Sequence, residues 1–417
     1  PKQPDDDAAM TTAPKPLLAL CAAALGLTAC AAVVDHDNIE PVAQGDAYQA
    51  QYREPAPRED APILRARDMN ASKCLPPRGG EVGDSFEGGK GTVGAVFALR
   101  GEFLSRGDLV EVLVSGDETF SDRYEVSRDG VIRLPYLSPV VAQGRRIEEV
   151  EADIASALVS GGYFDPRPLV SVRLQDYAAA SVGVTGAVFE PRPVEIGGIN
   201  GGEVDRGRQD TLGATTEARD LAKAIRAAGG IRPDADLSAV ELRRNGQLYI
   251  LDLREVLTGR DRADIMLLTG DEITVPSRMC FQDHLMVPSP ISPPGITLFL
   301  SNLTQPAAGN ALSAIGKDVR EVPYGTRYMQ AVIDTNCVGG TRTTNAHRSA
   351  ALYTRNPMTG VSAVIERDIE GMMRRADRDD YDPFLLPGDA IACYDSAVTN
   401  ATGLGSAIGS LPLSILP

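Results

Sequence analysis

The residue types that most often carry out chemistry are sparse or scattered in this chain. The three histidines, His36, His284 and His347, are far apart in sequence. The chain therefore offers few candidate residues for a catalytic triad or a zinc centre. Acidic residues are plentiful, with 57 Asp and Glu against 41 Lys and Arg. No two of them stand out as the paired carboxylates of a glycosidase. We therefore predict a protein that is not an enzyme, with no catalytic residues, metal or cofactor, and keep a hydrolase or lyase as a minor alternative.

Two Gly-Asp pairs occupy equivalent contexts. "LLTGDEITVPS" (267–277) and "LLPGDAIACYD" (385–395) each place the pair between two leucines and an alternating apolar run. Gly270 and Gly388 allow positive φ in a tight turn, and Asp271 and Asp389 can accept backbone N–H bonds across it. We favour this structural role over a direct functional one, and the recurrence indicates a duplicated architecture.

The N-terminal region has the pattern of a bacterial lipoprotein signal. From Met10 it reads "MTTAPKPLLALCAAALGLTAC", with one positive charge, an apolar stretch and small residues before Cys30. We predict that residues 1–29 are an upstream extension and signal peptide and that Cys30 is the lipid attachment site. Ala31 favours the outer membrane. A plain secretory peptide or a short buried helix is the alternative.

Four cysteines remain after such processing. Cys74, Cys280, Cys337 and Cys393 are spaced too widely for a zinc site, and an even number in an oxidising compartment predicts up to two disulfides. The pairing cannot be deduced from the sequence. We prefer Cys337 with Cys393, which share a proposed domain, and Cys74 with Cys280.

Periodicity divides the rest of the chain into units. Residues 30–96 (lipid anchor, tether and N-terminal segment) are rich in Pro, Asp, Arg and Ala without periodicity, and we expect a mostly extended tether until structure begins near Phe97. In 97–178 the patterns predict a strand, a turn at Asp129-Gly130, a second strand, a helix ended by Gly161-Gly162 and a returning strand.

Two further units follow. Residues 179–279 predict two strands, a helix ended by Gly229-Gly230, and a hairpin at Asn245-Gly246. Residues 280–396 repeat this plan with little identity. The last unit is a C-terminal segment, 397–417.

These motifs resemble a known family. "GDLVEVLVSG", "YEVSRDGVIRLPYL" and "DPRPLVSVRLQDY" are similar to the polysaccharide-export domain of the outer-membrane polysaccharide export (Wza-like) lipoproteins. "VGVTGAVFEPRPVEI" through "LLTGDEITVPS" resembles the β-grasp (SLBB) domain that follows it. The resemblance covers 97–277 well and 295–396 loosely. It implies an α+β fold: an export domain, two β-grasp-like (SLBB) domains and a C-terminal amphipathic helix.

The C-terminal segment has two contrasting stripes at helical spacing. The apolar, candidate lipid-facing side consists of Ala401, Leu404, Ile408, Leu411 and Ile415. The polar, candidate pore-lining side consists of Ser396, Thr399, Gly403, Ser406, Ser410 and Ser414. Roughly 22 residues span about 33 Å as a helix, near the thickness of a bilayer core. Gly403, Gly405, Gly409 and Pro412 weaken such a helix, and a tail that stays in the periplasm is the alternative.

The resulting functional prediction is an oligomeric outer-membrane lipoprotein channel that exports capsular or extracellular polysaccharide. The resemblance implies a ring of identical subunits, an octamer, with its body in the periplasm and its export domain docked on an inner-membrane polysaccharide copolymerase. A net charge of −16 argues against nucleic acid as a partner. The alternative is a periplasmic lipoprotein adaptor that binds glycan or an export partner without forming a membrane pore.

Overall fold

The computed structural model describes residues 36–57, 65–80, 99, 101–197, 217–259, 265–302, 320–334 and 349–394. Cys30, Cys337, His347 and the C-terminal segment with all its predicted pore-lining and lipid-facing residues lie outside these ranges. The described part mixes a few short helices with several sheets, as the α+β prediction requires.

The elements are numbered in chain order. The helices are α1 (Ala66–Ser72), α2 (Ile147–Ser160), α3 (Leu221–Ala227), α4 (Tyr328–Asp334) and α5 (Ile369–Met373). The strands are β1 (Leu109–Val114), β2 (Asp117–Glu125), β3 (Val131–Ile132), β4 (Val140–Val141), β5 (Val170–Asp176), β6 (Ala180–Gly186), β7 (Arg192–Ile196), β8 (Val240–Arg244), β9 (Gln247–Leu251), β10 (Glu272–Val275), β11 (Ile296–Asn302), β12 (Arg320–Val322), β13 (Ser349–Arg355), β14 (Ser362–Asp368) and β15 (Ala390–Tyr394).

The first unit is an antiparallel sheet of order β2-β1-β5, accompanied by α2. Val110, Val112 and Val114 of β1 alternate into its core, as a strand with one buried face requires. From α2, residues three and four positions apart join the same cluster: Val150, Ile154 and Leu158. The periodicity of the sequence therefore places this helix correctly.

Strand β2 corrects one prediction in this unit. The Asp129-Gly130 turn does not follow β1, because β2 intervenes and the chain reverses at Gly116, whose φ is 80°. The sequence of β2, "DETFSDRYE", is mostly polar and exposed. An edge strand with so few apolar residues gives no clear alternation to detect.

The second and third units have the same architecture. Their five-stranded sheets run β7-β6-β10-β8-β9 and β12-β11-β15-β13-β14, so equivalent strands occupy equivalent places. In each, the first and last strands pair in parallel at the sheet centre, and a seven-residue helix follows the second strand. In the second unit, Asn245 and Gly246 have φ of 49° and 79°, as a two-residue hairpin turn requires.

The N-terminal region departs from the expected extended tether. Residues 36–57, here called the N-terminal strap, lie against the third unit, and Val42, Ala47, Tyr48 and Tyr52 are buried in its core. Helix α1 follows, and Ala50 N–H donates to Asn70 Oδ1 at 2.8 Å. The expectation was wrong because a few isolated apolar residues in a polar segment show no periodicity, yet suffice to dock it on an existing core.

A disulfide fixes the end of this region. Cys74 is bonded to Cys280, whose position lies between the second and third units, with a Cα–Cα distance of 4.8 Å. This is the pairing that we preferred from the sequence. Cys393 is buried and also disulfide-bonded.

Candidate functional site

Three Gly-Asp pairs each lead directly into a strand at the centre of its sheet. They are Gly107-Asp108 before β1, Gly270-Asp271 before β10 and Gly388-Asp389 before β15. Their glycines have φ of 84°, 96° and 92°, in the region that favours glycine. The first pair opens the "GDLVEVLVSG" motif but was not predicted to be a third copy of the turn, because "SRGD" lacks the two leucines of the other motifs.

The aspartate closes each turn in the same way. Its backbone N–H donates to the carbonyl three residues earlier, at Ser105, Leu268 and Leu386. Its Oδ2 accepts the N–H of that same residue, at 2.8, 2.8 and 2.9 Å respectively. The three carboxyls are at most 2% exposed. These bonds are those of a structural turn, the role that we favoured for Asp271 and Asp389.

The three turns differ in what balances the buried carboxyl. Asp108 pairs with Arg219, which comes from the second unit. Asp271 pairs with Arg244 of β8 through two-pronged bonds, with Nη2–Oδ2 at 2.6 Å and Nε–Oδ1 at 3.0 Å. Asp389 has no ion pair among the described residues and takes a hydrogen bond from Thr354 instead. Burial raises the pKa of Asp389 to about 7.

The strap meets the third unit beside this third turn. Gln49 donates from Nε2 to the Phe384 carbonyl and accepts the Phe384 N–H at Oε1, both at 2.9 Å. The Tyr52 hydroxyl lies 3.3 Å from Thr354 Oγ1. At the sheet edge, the Asn38 side chain bonds both the carbonyl and the N–H of Val364 on β14, at 3.0 and 2.8 Å. The strap therefore satisfies backbone groups of the third unit as an added strand would.

Arg367 of β14 clamps the strap. Its Nη2 donates to the carbonyls of three consecutive strap residues, Gln51, Tyr52 and Arg53, at 3.1, 2.9 and 2.9 Å. Its Nε and Nη1 reach the carbonyls of Tyr381 and Glu366. Burial lowers the pKa of this guanidinium to about 10. No sequence pattern predicts this role, because the partners of Arg367 are backbone carbonyls rather than acidic side chains.

Replacing Arg367 with lysine should loosen the strap. An ammonium keeps the charge but has its three donors on a single nitrogen, whereas the guanidinium spreads five donors over three nitrogens. Some of the buried carbonyls therefore lose their donors, at a cost of about 1–3 kcal/mol in unfolding free energy. Urea unfolding measures this loss, and proteolysis should cut within 46–57 more quickly. The control is Arg355→Lys, on the exposed side of β13. Equal effects of the two substitutions would contradict the clamp.

A cavity of about 600 Å³ lies between the strap and β14. Its lining includes four carboxylates: Glu40, Glu54, Glu366 and Asp368. His36 Nε2 lies 3.6 Å from Glu366 Oε2 at one end. Within the described ranges no group of three His, Cys, Asp or Glu residues has an arrangement that could hold a metal.

The other predicted residues lie apart from one another. Asp129 is exposed and accepts from Ser127 and Arg133, which lower its pKa, while Gly130 supplies a φ of 79°. His284 lies near the Cys74–Cys280 bond in sequence, and burial lowers its pKa. The structure does not assemble these residues into a catalytic centre.

Comparison with known proteins identifies one domain. Residues 102–175 match the family model of polysaccharide biosynthesis/export proteins, a range that contains β1 to β4, the helix α2 and all of β5 except its last residue, Asp176. The match indicates a role in polysaccharide export and a location in the cell envelope. No curated protein matches the chain. In the described part of the chain, every helix is too short or too polar to cross a bilayer.

Proposed function

We propose that the chain is one subunit of a lipid-anchored, ring-shaped channel that carries capsular or extracellular polysaccharide across the outer membrane. The observation that carries this proposal is the match of residues 102–175 to the polysaccharide biosynthesis/export family. The shared strand order of the second and third units supports treating them as two β-grasp-like (SLBB) domains. The chain is then a member of the outer-membrane polysaccharide export lipoproteins.

The position of the strap supports an orientation in which the third unit lies nearest the outer membrane. If Cys30 carries the lipid, the six-residue step to His36 spans at most about 20 Å. His36 lies beside Glu366 of β14, so the third unit must sit close to the anchoring membrane. Strand β15 of the same unit ends at Tyr394, next to the C-terminal segment. Both proposed membrane attachments therefore join the third unit, and the export domain is left to face the periplasm and an inner-membrane copolymerase.

The mechanism is passage without covalent chemistry. A C-terminal helix that satisfies its own backbone can turn Leu and Ile toward lipid. The serine hydroxyls on its other side then need water as a hydrogen-bond partner, but around a single helix they would face lipid instead. A ring of identical helices, eight in the proposed octamer, encloses an aqueous bore in which sugar hydroxyls stay hydrated. Polymerisation at the inner membrane supplies the driving force, and no cofactor is needed.

Leakage from liposomes tests this function. The acylated chain should release entrapped fluorescent dextran, whereas a chain truncated after Tyr394 should not, because the bilayer-spanning part is gone. The adaptor alternative predicts no release by either form. If the truncated chain still forms rings, inserts and exports polysaccharide, the channel role of the C-terminal segment is wrong.

Matched substitutions sharpen the test. Ile408→Asp places a charge on the proposed lipid side, where it costs several kcal/mol at the centre of a bilayer, and should abolish release. Ser406→Asp places the same charge in the proposed bore and should leave release largely intact. Equal loss in both variants would rule out the proposed orientation of the helix.

A further inference from the structure

The duplicated units allow a residue-by-residue comparison of two equivalent buried turns. In the second unit Ile273 of β10 pairs with Leu242 of β8, and in the third Ile391 of β15 pairs with Leu352 of β13. Two residues further along the partner strands stand Arg244 and Thr354. The third unit thus has a threonine where the second has the arginine that neutralises the turn aspartate. Burying a carboxyl without a counter-charge favours its protonated form.

A short chain of polar side chains connects this carboxyl to the strap. Gln49 Nε2 donates to the Tyr52 hydroxyl at 3.1 Å, and that hydroxyl lies 3.3 Å from Thr354 Oγ1. Thr354 in turn bonds Asp389. Tyr52 is 2% exposed and belongs to the core of the third unit. The docked strap therefore helps to keep water away from Asp389.

The charged groups on the surrounding elements make their bonds elsewhere. These groups are Glu40 and Arg53 on the strap, Arg327 before α4, Arg355 on β13, Arg367 on β14, and Tyr381 and Asp382 before the turn. Arg53 stacks on the Tyr381 ring, and Arg327 lies over the Phe384 ring. Arg355 donates to the Gly360 carbonyl, and Arg367 to the strap carbonyls. Asp382 accepts the Met329 N–H.

We propose that the Asp389 carboxyl is a proton-controlled latch that couples docking of the N-terminal strap to pH. With its proton in place, the carboxyl is neutral and is compatible with burial beneath Tyr52. When the proton leaves, the charge favours hydration, and the strap must open for water to reach it. This inference concerns the third unit alone and does not depend on the proposed channel function.

The direction of the effect follows from the two states of Asp389. With the strap docked its pKa is about 7, and once hydrated it returns toward about 4. The stability that the proton gives to the docked strap is complete below about pH 4, declines as pH rises, and is lost by about pH 7. Opening of the strap should therefore increase up to about 50-fold between about pH 5 and pH 7, and level off above that.

Hydrogen–deuterium exchange of the full chain tests the latch. Peptides covering residues 46–53 are followed across this pH range, with the intrinsic exchange rate of each amide divided out. The expected result is strap opening that increases with pH in the native chain and stays constant in Asp389→Asn, which keeps the shape and the acceptor for the Leu386 N–H. A native chain whose strap opens equally at all pH values overturns the proposal, and so does an Asp389→Asn chain whose strap opening still increases with pH.

Three controls separate Asp389 from its neighbours. His36→Gln removes the group that pairs with Glu366. Asp382→Asn removes a second buried acid of this unit, whose pKa is raised to about 6 by burial. Asp271→Asn disturbs the equivalent turn of the second unit. The pH response of the strap should persist in all three, and its disappearance in His36→Gln or Asp382→Asn would assign the latch to that residue and overturn the role of Asp389.

A second variant covers the case in which Asp389→Asn fails to fold. Thr354→Val keeps the size of the side chain but removes the donor that stabilises the ionised carboxyl. The pH at which strap opening levels off should then move upward. An unchanged profile would overturn the proposal, because a threonine that only fills space has no influence on the titration of Asp389.

Discussion

Replacing Arg219 with methionine is expected to lower the free energy of unfolding by about 3–5 kcal/mol, because it leaves the Asp108 carboxylate buried without its cation. Both side chains are fully buried. Arg219 comes from the second unit, whereas Asp108 closes the turn before β1 of the first. Arg219 also donates from Nε to the Ala178 carbonyl at 2.9 Å and lies 5.2 Å from the Tyr177 ring centroid. The substitution therefore removes charge, hydrogen bonds and a cation–π contact at one place.

The effect should appear at the junction between the two units. Urea unfolding of the native chain and of Arg219→Met measures the loss, and exchange of the β1 amides shows whether the export domain opens separately from the second unit. The control is Arg133→Met, which breaks the exposed pair with Asp129 and should leave unfolding unchanged. An Arg219→Met chain as stable as this control would mean that the buried pair does not hold the two units together.

Local signals in the sequence account for much of the fold. The spacing of Ile147, Val150, Ile154 and Leu158 predicts α2, and Asn245-Gly246 predicts the hairpin between β8 and β9. The repeated Gly-Asp motif places β10 and β15 at equivalent points in two sheets. Each of these signals lies within about ten residues of the element that it predicts, where backbone preferences and side-chain periodicity act directly.

Long-range pairing accounts for what the sequence did not reveal. Arg219 and Asp108 are separated by 111 positions, and among 24% charged residues neither differs visibly from a solvated one. Arg367 and the strap carbonyls are more than 300 positions apart. Among the described residues Asp389 has no cation beside it, a difference from Asp271 that becomes visible when β13 is aligned with β8 through their pairing with β15 and β10. Such features depend on which elements meet, which no local pattern contains.

The Cys74–Cys280 bond should have a comparably large effect on stability. It closes a loop with a sequence separation of 206, so its loss frees a long stretch of the unfolded chain at a cost of about 5 kcal/mol in the chain-entropy model. The variant is Cys74→Ser with Cys280→Ser, which leaves no unpaired thiol from this bond. Urea unfolding of the two chains without reductant measures the difference.

The position of the bond predicts where the variant opens first. The disulfide holds residue 74 to Cys280. Next to it, the Leu75 N–H donates to the Arg278 carbonyl, and Arg278 Nε donates to the Leu75 carbonyl. Without the covalent link, α1 and the strap are held by hydrogen bonds and by the apolar side chains in the third unit's core. Because loss of the bond weakens the attachment of this region only, hydrogen exchange of the amides at 65–80 should increase more than exchange in β10. A variant that loses stability evenly across all three units would show instead that the bond acts only through the unfolded state.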